Sequence, residues 1–296
     1  MPETKNNPHL SPPLPPCRLY ALLARVAPVG VIFRRGPSNW VQIIHWDTDK
    51  DIFTLGQWFH GRIYEKRCDL SPDGKLLIYF AMNLRTRNLY TDYTYAWTAL
   101  SKPPYLTALA LWPKGSCWAG GGLFPSETEV WLNHREGEEE CHPDHRPQGL
   151  VVTHDGGGMG EDDPILLRRL SRDGWRHAQE WQIEYTRTTE GFVTYAPRIQ
   201  RKQNPRGWQK MTLTTSITGF TRHDDYSVRY AEGADQVLEG AEWADWDRQG
   251  RLVYAQNGRI FAQTATLIGQ EPARELIDLN GNTFEPVEAP EWAKTW

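Results

Sequence analysis

The densest group of potential metal ligands in the sequence is Glu140-Cys141-His142-Pro143-Asp144-His145. Thiolate, imidazole and carboxylate groups at such short spacing can share one Zn²⁺ ion. No second cluster with ligand spacing follows, and the segment lies in an acidic stretch that contains proline. We therefore interpret it as a solvated loop. Metal binding by Cys141, His142 and His145 is left open, and no metal or cofactor is predicted.

A glycine-rich acidic stretch, Asp155-Gly156-Gly157-Gly158-Met159-Gly160-Glu161-Asp162-Asp163, has two possible uses. Its backbone could bind phosphate, but a P-loop needs a following Gly-Lys-Ser/Thr and a helix, and the sequence indicates neither. Its clustered acids could bind Ca²⁺, but they lack the spacing of an EF-hand. The stretch is predicted to be a flexible loop.

A basic run with one tryptophan could contact an anionic strand. Its members are Arg198, Arg201, Lys202, Arg206, Trp208 and Lys210. The chain as a whole is acidic, with 33 Lys and Arg against 37 Asp and Glu and a formal net charge of −4. Within the run, Asn204-Pro205-Arg206-Gly207 has the composition of a turn. We therefore expect no nucleic-acid partner.

Nine histidines and many acidic residues could supply a hydrolytic site. The sequence contains neither the Gly-x-Ser-x-Gly turn of serine hydrolases nor a His-Glu-x-x-His motif. Carboxylates cannot be paired in space from the sequence alone, so no acid and base can be assigned. No catalytic residue is predicted, and the residues favour a protein that is not an enzyme.

The elements that would position these residues are β-strands, and the segment Cys68 to Phe80 shows this best. Ser71-Pro72-Asp73-Gly74 has turn chemistry, because proline presets φ, aspartate bonds its own backbone and glycine tolerates positive φ. Leu76 to Phe80 is a short apolar run with an aromatic end, which is typical of a strand in a sheet core. The segment is predicted to be strand, tight turn, strand.

The hairpin theme recurs along the 296 residues, which include 14 tryptophans. Turn glycines mark the repeats at Gly74, Gly115, Gly174 and Gly250. Only the interval from Gly74 to Gly115 has the length of one repeat, so the longer intervals require insertions. The last interval, before Gly250, would contain a sixth unit around Gly207-Trp208. The third unit is predicted to begin with Leu106 to Leu111, and the fourth with a hairpin at Leu170 to Trp175.

The ends and the cysteines bound the domain organisation. Residues 1–16 contain six prolines and are predicted to form a disordered leader before one domain, residues 17–296. Four scattered cysteines lack any Cys-x-x-Cys spacing, and a chain of this size does not need disulfides. Because no signal sequence and no apolar run of about 18 residues is present, we expect a soluble, cytoplasmic chain with no membrane partner.

The hairpins at Leu70 to Phe80 and Trp246 to Tyr254 resemble the Ser-Pro-Asp-Gly-Lys hairpins of TolB-like and WD-repeat β-propellers. The chain as a whole resembles uncharacterised bacterial proteins. The resemblance implies an all-β fold, a single β-propeller with five blades, six being the alternative. Since one blade cannot bury both of its faces, the units must close into a ring, and Thr283 to Val287 is a plausible strand donor for closure.

Propellers present rigid loops around a channel, and this sequence offers no convincing reactive set. We therefore expect a non-catalytic interaction module, a scaffold or subunit of a bacterial complex with a protein partner. The rival hypothesis is a glycoside hydrolase-like enzyme with an Asp/Glu acid and base at the channel mouth, by analogy with other five-bladed propellers.

The segment Trp58 to Arg67 is predicted to link the last strand of one blade to the first strand of the next, on the face that carries the channel mouth. Gly61 allows close approach of the backbone. Arg62, Tyr64 and Arg67 supply hydrogen-bond donors and an aromatic face, and arginine is enriched in binding hot spots. These three residues are the predicted partner- or ligand-binding site. The alternative is a turn whose side chains cover blade edges.

Overall fold

The computed structural model describes residues 15–36, 39–85, 91–158, 161–178, 185–187, 189, 191, 193–218 and 221–296. The chain is all-β, with 46% of it in strands and 8% in helices, and its sheets are arranged as a five-bladed β-propeller. The predicted fold class and the favoured blade number are therefore confirmed. Residues 1–14 of the predicted leader lie outside the described residues.

The first three blades occupy the N-terminal half of the chain. Blade 1 contains β1 (Arg18–Leu23), β2 (Val29–Arg35), β3 (Trp40–Asp47) and β4 (Ile52–His60). Blade 2 contains β5 (Arg62–Ile63), β6 (Asp69–Leu70), β7 (Leu77–Met82), β8 (Ala96–Ser101) and β9 (Ala110–Pro113), with a 3-10 helix at Glu65–Arg67. Blade 3 contains β10 (Gly122–Leu123), β11 (Glu129–Leu132) and β12 (Val151–His154), of which β11 and β12 are parallel.

The remaining blades follow helix α1 (Asp163–Arg172). Blade 4 contains β13 (Trp175–His177), β14 (Tyr185–Arg187), β15 (Val193–Gln203), β16 (Lys210–Thr218), β17 (Thr221–Ala231) and β18 (Ala234–Val237). Blade 5 contains β19 (Ala241–Trp246), β20 (Leu252–Gln256), β21 (Arg259–Gln263) and β22 (Arg274–Asp278). A 3-10 helix at Ala265–Leu267 and helix α2 (Glu291–Lys294) complete the described elements.

The turn chemistry of the sequence forms as predicted at the hairpin after β6. Ser71 Oγ donates to Asp73 Oδ1 at 2.7 Å, and the Gly74 N–H donates to the Ser71 carbonyl at 2.9 Å. Gly74 has φ +76°, and a Cβ there would lie 2.7 Å from the Cβ of Val29. The turn therefore requires glycine both for its backbone angle and for its approach to blade 1.

Apolar side chains of facing blades form the core, so that each interface buries one face of two sheets. Examples are Phe33 and Tyr79 between blades 1 and 2, Trp112 and Phe124 between blades 2 and 3, Met211 and Trp246 between blades 4 and 5, and Trp46 and Trp243 between blades 5 and 1. On the other side of blade 3, Ile165 of α1 packs on Leu123 and Trp131. Helix α1 therefore covers a blade face that a neighbouring sheet covers elsewhere.

Helix α1 differs from the expected flexible loop and hairpin. Its sequence has helix-forming features: Pro164 in the first turn, Asp163 at the positive end of the dipole, and Arg172 in the last turn. Ile165 and Arg169, four residues apart, are both buried. Leu170 to Trp175 was predicted as a hairpin because Asp173-Gly174 has turn chemistry, but that turn ends the helix instead.

Three other boundaries also differ from expectation. Strand β9 completes blade 2, so Leu106 to Leu111 does not begin the third unit. Gly207-Trp208 lies in the turn between β15 and β16 of blade 4 and marks no sixth blade. Thr283 to Val287 forms no strand; Phe284 stacks on Trp40 of blade 1 at 4.2 Å, and the ring closes through the core between blades 5 and 1.

Candidate functional site

Two cavities lie along the axis of the ring, one toward each end. The larger, of about 500 Å³, lies toward the turns that join the first and second strands of blades 1 and 5, and we call it the hairpin-side chamber. The smaller, of about 310 Å³, lies toward the segments that link one blade to the next, and we call it the link-side chamber. Both are lined by residues from several blades, so the fold brings distant parts of the chain together at the axis.

The partly buried Tyr20 and the buried Arg169 lie where the two chambers meet. Tyr20 of β1 lines both of them, and Arg169 of α1 donates to its hydroxyl at 2.5 Å. Arg169 is only 3% exposed and also donates to the carbonyl of Cys68. Burial raises the pKa of Tyr20 to about 12, against the opposing effect of the nearby Arg169 charge. The phenol therefore stays protonated at neutral pH and can donate a hydrogen bond in turn.

Three carboxylates in the wall of the hairpin-side chamber each bind a cation. Arg172 donates to both oxygens of Asp69, at 2.5 and 2.9 Å, and to Asp173 at 2.8 Å. Lys202 donates to Asp245 at 2.5 Å. Burial raises the pKa of Asp245, and the charge of Lys202 only partly offsets this effect.

A second network surrounds the link-side chamber. Asp224 accepts from Lys66 at 2.6 Å and from Arg222 at 3.0 Å, and Arg222 also reaches Asp163 of α1 at 3.0 Å. Burial would raise the pKa of Asp224, but the charges of Arg222 and Lys66 outweigh it and lower that pKa to about 2. This carboxylate is therefore ionised at any physiological pH.

Glu242 of β19 is a link-side carboxylate in a different environment. It accepts a hydrogen bond from the Leu19 N–H at 2.6 Å, and burial raises its pKa. Within the described part of the chain, no cation lies within 4.0 Å of its carboxylate. Glu242 is thus a candidate proton donor, but its link-side neighbour Asp224 is fixed by two cations.

The three predicted site residues do come together on the link side. The guanidinium of Arg62, which is exposed, lies 4.3 Å from the ring centroid of Tyr64, and that of Arg67 lies 4.5 Å from the same ring. Arg67 itself is fully buried. It donates to Asp162 at 2.8 Å and to Glu161 at 3.2 Å. Tyr64 is thus held between two arginines, of which Arg62 alone faces solvent.

The predicted site residue Arg67 makes its contacts inside the protein. Its Nη1 donates to the carbonyls of Cys117 and Ala119 at 2.8 and 2.9 Å. It therefore joins blade 2 to the segment before blade 3. Its partners Glu161 and Asp162 belong to the acidic stretch that was predicted to be a flexible loop. The only feature of the sequence that could have indicated a basic partner for this stretch was its acidic composition.

The histidines of the segment Glu140 to His145, for which metal binding was left open, are used in packing. Tyr93 stacks on His142 at 4.1 Å, and its hydroxyl lies 3.3 Å from Nε2 of His145. The Asp144 N–H donates to Nδ1 of His142 at 3.2 Å. Over the residues that the structure describes, no group of three or more His, Cys, Asp or Glu side chains is arranged to hold a metal ion.

The basic run divides between the two faces of blade 4. Lys202 points to the axis, where it binds Asp245, whereas Arg201, Trp208 and Lys210 line a groove of about 350 Å³ on the opposite face. Arg201 and Lys210 are both exposed. Basic residues that are close together in the sequence therefore lie on opposite faces of blade 4, because successive side chains of strand β15 point to opposite faces of the sheet.

Comparison of the chain with protein-family models, with curated proteins and with solved structures found no significant match. No helix among the described residues is long and apolar enough to cross a membrane.

Proposed function

We propose that the chain is a non-catalytic interaction module that binds a protein partner on its link side. The observation that carries this proposal is the pairing of the axial carboxylates. Asp69, Asp173 and Asp224 each lie against an arginine. Because a glycosidase needs one carboxyl as acid and a second as base or nucleophile, such fixed ion pairs favour a binding role over a catalytic one.

The surface around Arg62 supports a partner site. Arg62 is exposed yet oriented by its contact with Tyr64, so little side-chain entropy would be lost on binding. Trp118, 54% exposed, follows Cys117, whose carbonyl binds Arg67. Arginine and tryptophan are among the residue types most enriched in hot spots.

The finer parts of the proposal rest on the sequence. We propose a relationship to TolB-like or WD-repeat-like propellers, and a scaffold or subunit role in a bacterial complex, from the hairpins Leu70 to Phe80 and Trp246 to Tyr254. A cytoplasmic location is supported by the four cysteines, which are all free.

Affinity purification of the full chain from a bacterial host tests the proposal. A stoichiometric protein partner is expected with the wild-type chain and with Arg259→Ala, a matched change of an exposed arginine on blade 5. Recovery should fall with Arg62→Ala. Equal recovery with Arg62→Ala, or no partner with any chain, would contradict the link-side site.

A glycoside hydrolase is the second candidate, and the hairpin-side chamber favours it. Burial raises the pKa of Asp245 there, as is required of a general acid. Turnover of a glycan panel by the wild-type chain, lost in both Asp245→Asn and Asp69→Asn, would support the enzyme. Absence of turnover by the wild-type chain would exclude this candidate for the glycans tested.

A further inference from the structure

The hairpin-side chamber has the size and walls of a small-molecule site. Its volume of about 500 Å³ lies within the range of pockets that enclose ligands of drug size. Part of its wall is apolar or aromatic, with Leu22, Leu170, Trp175, Tyr226 and Trp243. These side chains come from β1, α1 and blades 4 and 5 and belong to three packed apolar clusters, so the wall of the chamber is held in place by the core.

The charges in the wall are unequally compensated. Every carboxylate in it is neutralised: Arg172 binds Asp69 and Asp173, and Lys202 binds Asp245. A fourth carboxylate, Asp247, binds Arg251 at 2.6 Å. The negative charges of the wall are therefore already used by cations of the protein.

Three arginines of the same wall have no such counter-charge in the part of the chain that the structure describes: the exposed Arg248, and Arg25 and Arg169, which lie deeper. Arg25 donates to the backbone carbonyls of Phe124 and Pro125 at 3.0 and 3.3 Å, and Arg169 donates to the carbonyl of Cys68 and the hydroxyl of Tyr20. Among the described residues, no carboxylate lies within 4.0 Å of either guanidinium. Burial and the charge of Arg172 lower the pKa of Arg25, against the opposing charges of Asp69, Asp173 and Glu127.

Arg25 is partly buried and Arg169 is only 3% exposed. Removing a charge from water is costly when its hydrogen bonds go only to neutral groups, and an anion in the chamber would offset part of that cost. We propose that the hairpin-side chamber binds a small organic anion whose carboxylate or phosphate group pairs with Arg25, with Arg169 adding positive potential from the floor. The apolar body of the ligand packs against Trp175 and Trp243. This site lies at the opposite end of the axis from Arg62, so it does not depend on the proposed partner surface.

Ligand-observed NMR on the full chain, with benzoate, phenyl phosphate and neutral benzamide as probes, tests the proposal. Saturable binding of benzoate or phenyl phosphate is expected, and the comparison of the two assigns the charged group. Benzamide should bind at least about tenfold more weakly than the anions, because a hydrogen bond to a charged group contributes about 1.5–3 kcal/mol.

Three variants place the site. Arg25→Gln should weaken binding of the anionic probe about tenfold, on the same reasoning, while Arg25→Lys keeps the charge and should retain part of the affinity. Arg201→Gln, on the groove of blade 4 outside the chamber, should bind as the wild-type chain does. Circular dichroism checks that each variant is folded. No binding of either anion, equal binding of benzamide, or unchanged affinity in folded Arg25→Gln would overturn the proposal.

Discussion

The ring is held together differently at two places. Between blades 5 and 1 one buried apolar cluster contains Trp46 and Trp243, and the ion pairs of this interface join Asp51 to Arg251 and Arg274 nearer the surface. From blade 2 through blade 3 to α1, buried polar groups make many of the contacts, with Arg67 bound to Asp162 and His134 bound to Thr98. The apolar cluster depends on how well its side chains fill the available volume. The polar contacts from blade 2 to α1, which we call the polar junction, depend on specific pairs and on their protonation. Stability at the two places should therefore respond to different perturbations.

The polar junction also explains how a helix can replace sheet packing beside blade 3. Arg67 reaches Glu161 and Asp162, the two residues that precede α1, while Ile165 packs on blade 3. The ion pairs therefore fix the start of the helix, and the buried side chains of Ile165 and Leu166 pack its first turn. A sheet face needs alternate residues along a whole strand for the same purpose.

The largest effect is expected at the apolar interface. Trp46 is fully buried, and Trp46→Ala should lower the free energy of unfolding by about 4 kcal/mol, since it removes a large side chain and leaves a cavity. Trp46→Phe, which keeps a ring against Phe53, should cost less than half of that value. Urea unfolding measures both changes. A loss below about 1 kcal/mol for Trp46→Ala would show that this interface does not hold the ring.

Acid should act on the polar junction instead. Burial lowers the pKa of His134 to about 4, so its ring is neutral at pH 7, and its nitrogens lie 2.8 Å from Thr98 Oγ1 and 2.7 Å from the Glu138 carbonyl oxygen. The unfolded chain, with a histidine pKa near 6.5, binds the proton first. Stability is therefore full above pH 6.5 and falls as the pH drops toward 4, by about 3 kcal/mol for this shift.

Two variants separate His134 from the other titrating groups. In His134→Gln the slope of stability against pH between 6.5 and 4 should be smaller than in the wild-type chain. In His223→Gln, which changes a histidine that is 73% exposed, the slope should be unchanged. Thermal unfolding across this pH range gives both slopes, and a wild-type slope in His134→Gln would assign the acid sensitivity elsewhere.

The two places also differ in how far the sequence predicts them. The turns at Ser71 to Gly74 and Asp247 to Gly250 depend on neighbouring residues, so their chemistry was visible and the blades that contain them were predicted. The pair of Arg67 and Asp162 joins residues 95 apart in the chain, and no local pattern specifies it. Helix α1 is an intermediate case, because the signals at Asp163-Pro164 were present but the turn after it was taken for a hairpin.

The difference between local and long-range contacts also explains why the sequence did not pair the carboxylates at the axis with their cations. Asp69 and Asp245 lie on short strands whose positions follow from the hairpins, so their places were predictable in outline. Their cations were not, because Arg172 comes from an unpredicted helix and Lys202 faces the axis only through the register of β15. Predicting the chamber walls therefore requires knowledge of how the blades pair in three dimensions, and not only of which blades are present.

Arg67→Ala should have a smaller effect than the acid transition. It removes the charge together with its contacts, leaves the carbonyls of Cys117 and Ala119 without this donor, and frees Asp162, which can take up water. A loss of about 2 kcal/mol in the free energy of unfolding is expected, less than for a pair buried on both sides. Urea unfolding at two salt concentrations is the measurement. A change within about 0.5 kcal/mol would show that the junction does not depend on Arg67.

The smallest change in stability is expected for Arg62→Ala, and this variant separates binding from folding at one site. Arg62 and Arg67 both contact Tyr64, but Arg62 is exposed and takes part in no ion pair among the described residues. Its loss should change the free energy of unfolding by no more than about 0.5 kcal/mol. Binding of the partner recovered by affinity purification should nevertheless fall about tenfold or more, as for an arginine hot spot. Calorimetric titration with that partner gives the affinity. If Arg62→Ala binds normally while Arg67→Ala is destabilised, the segment Trp58 to Arg67 serves only to join the blades.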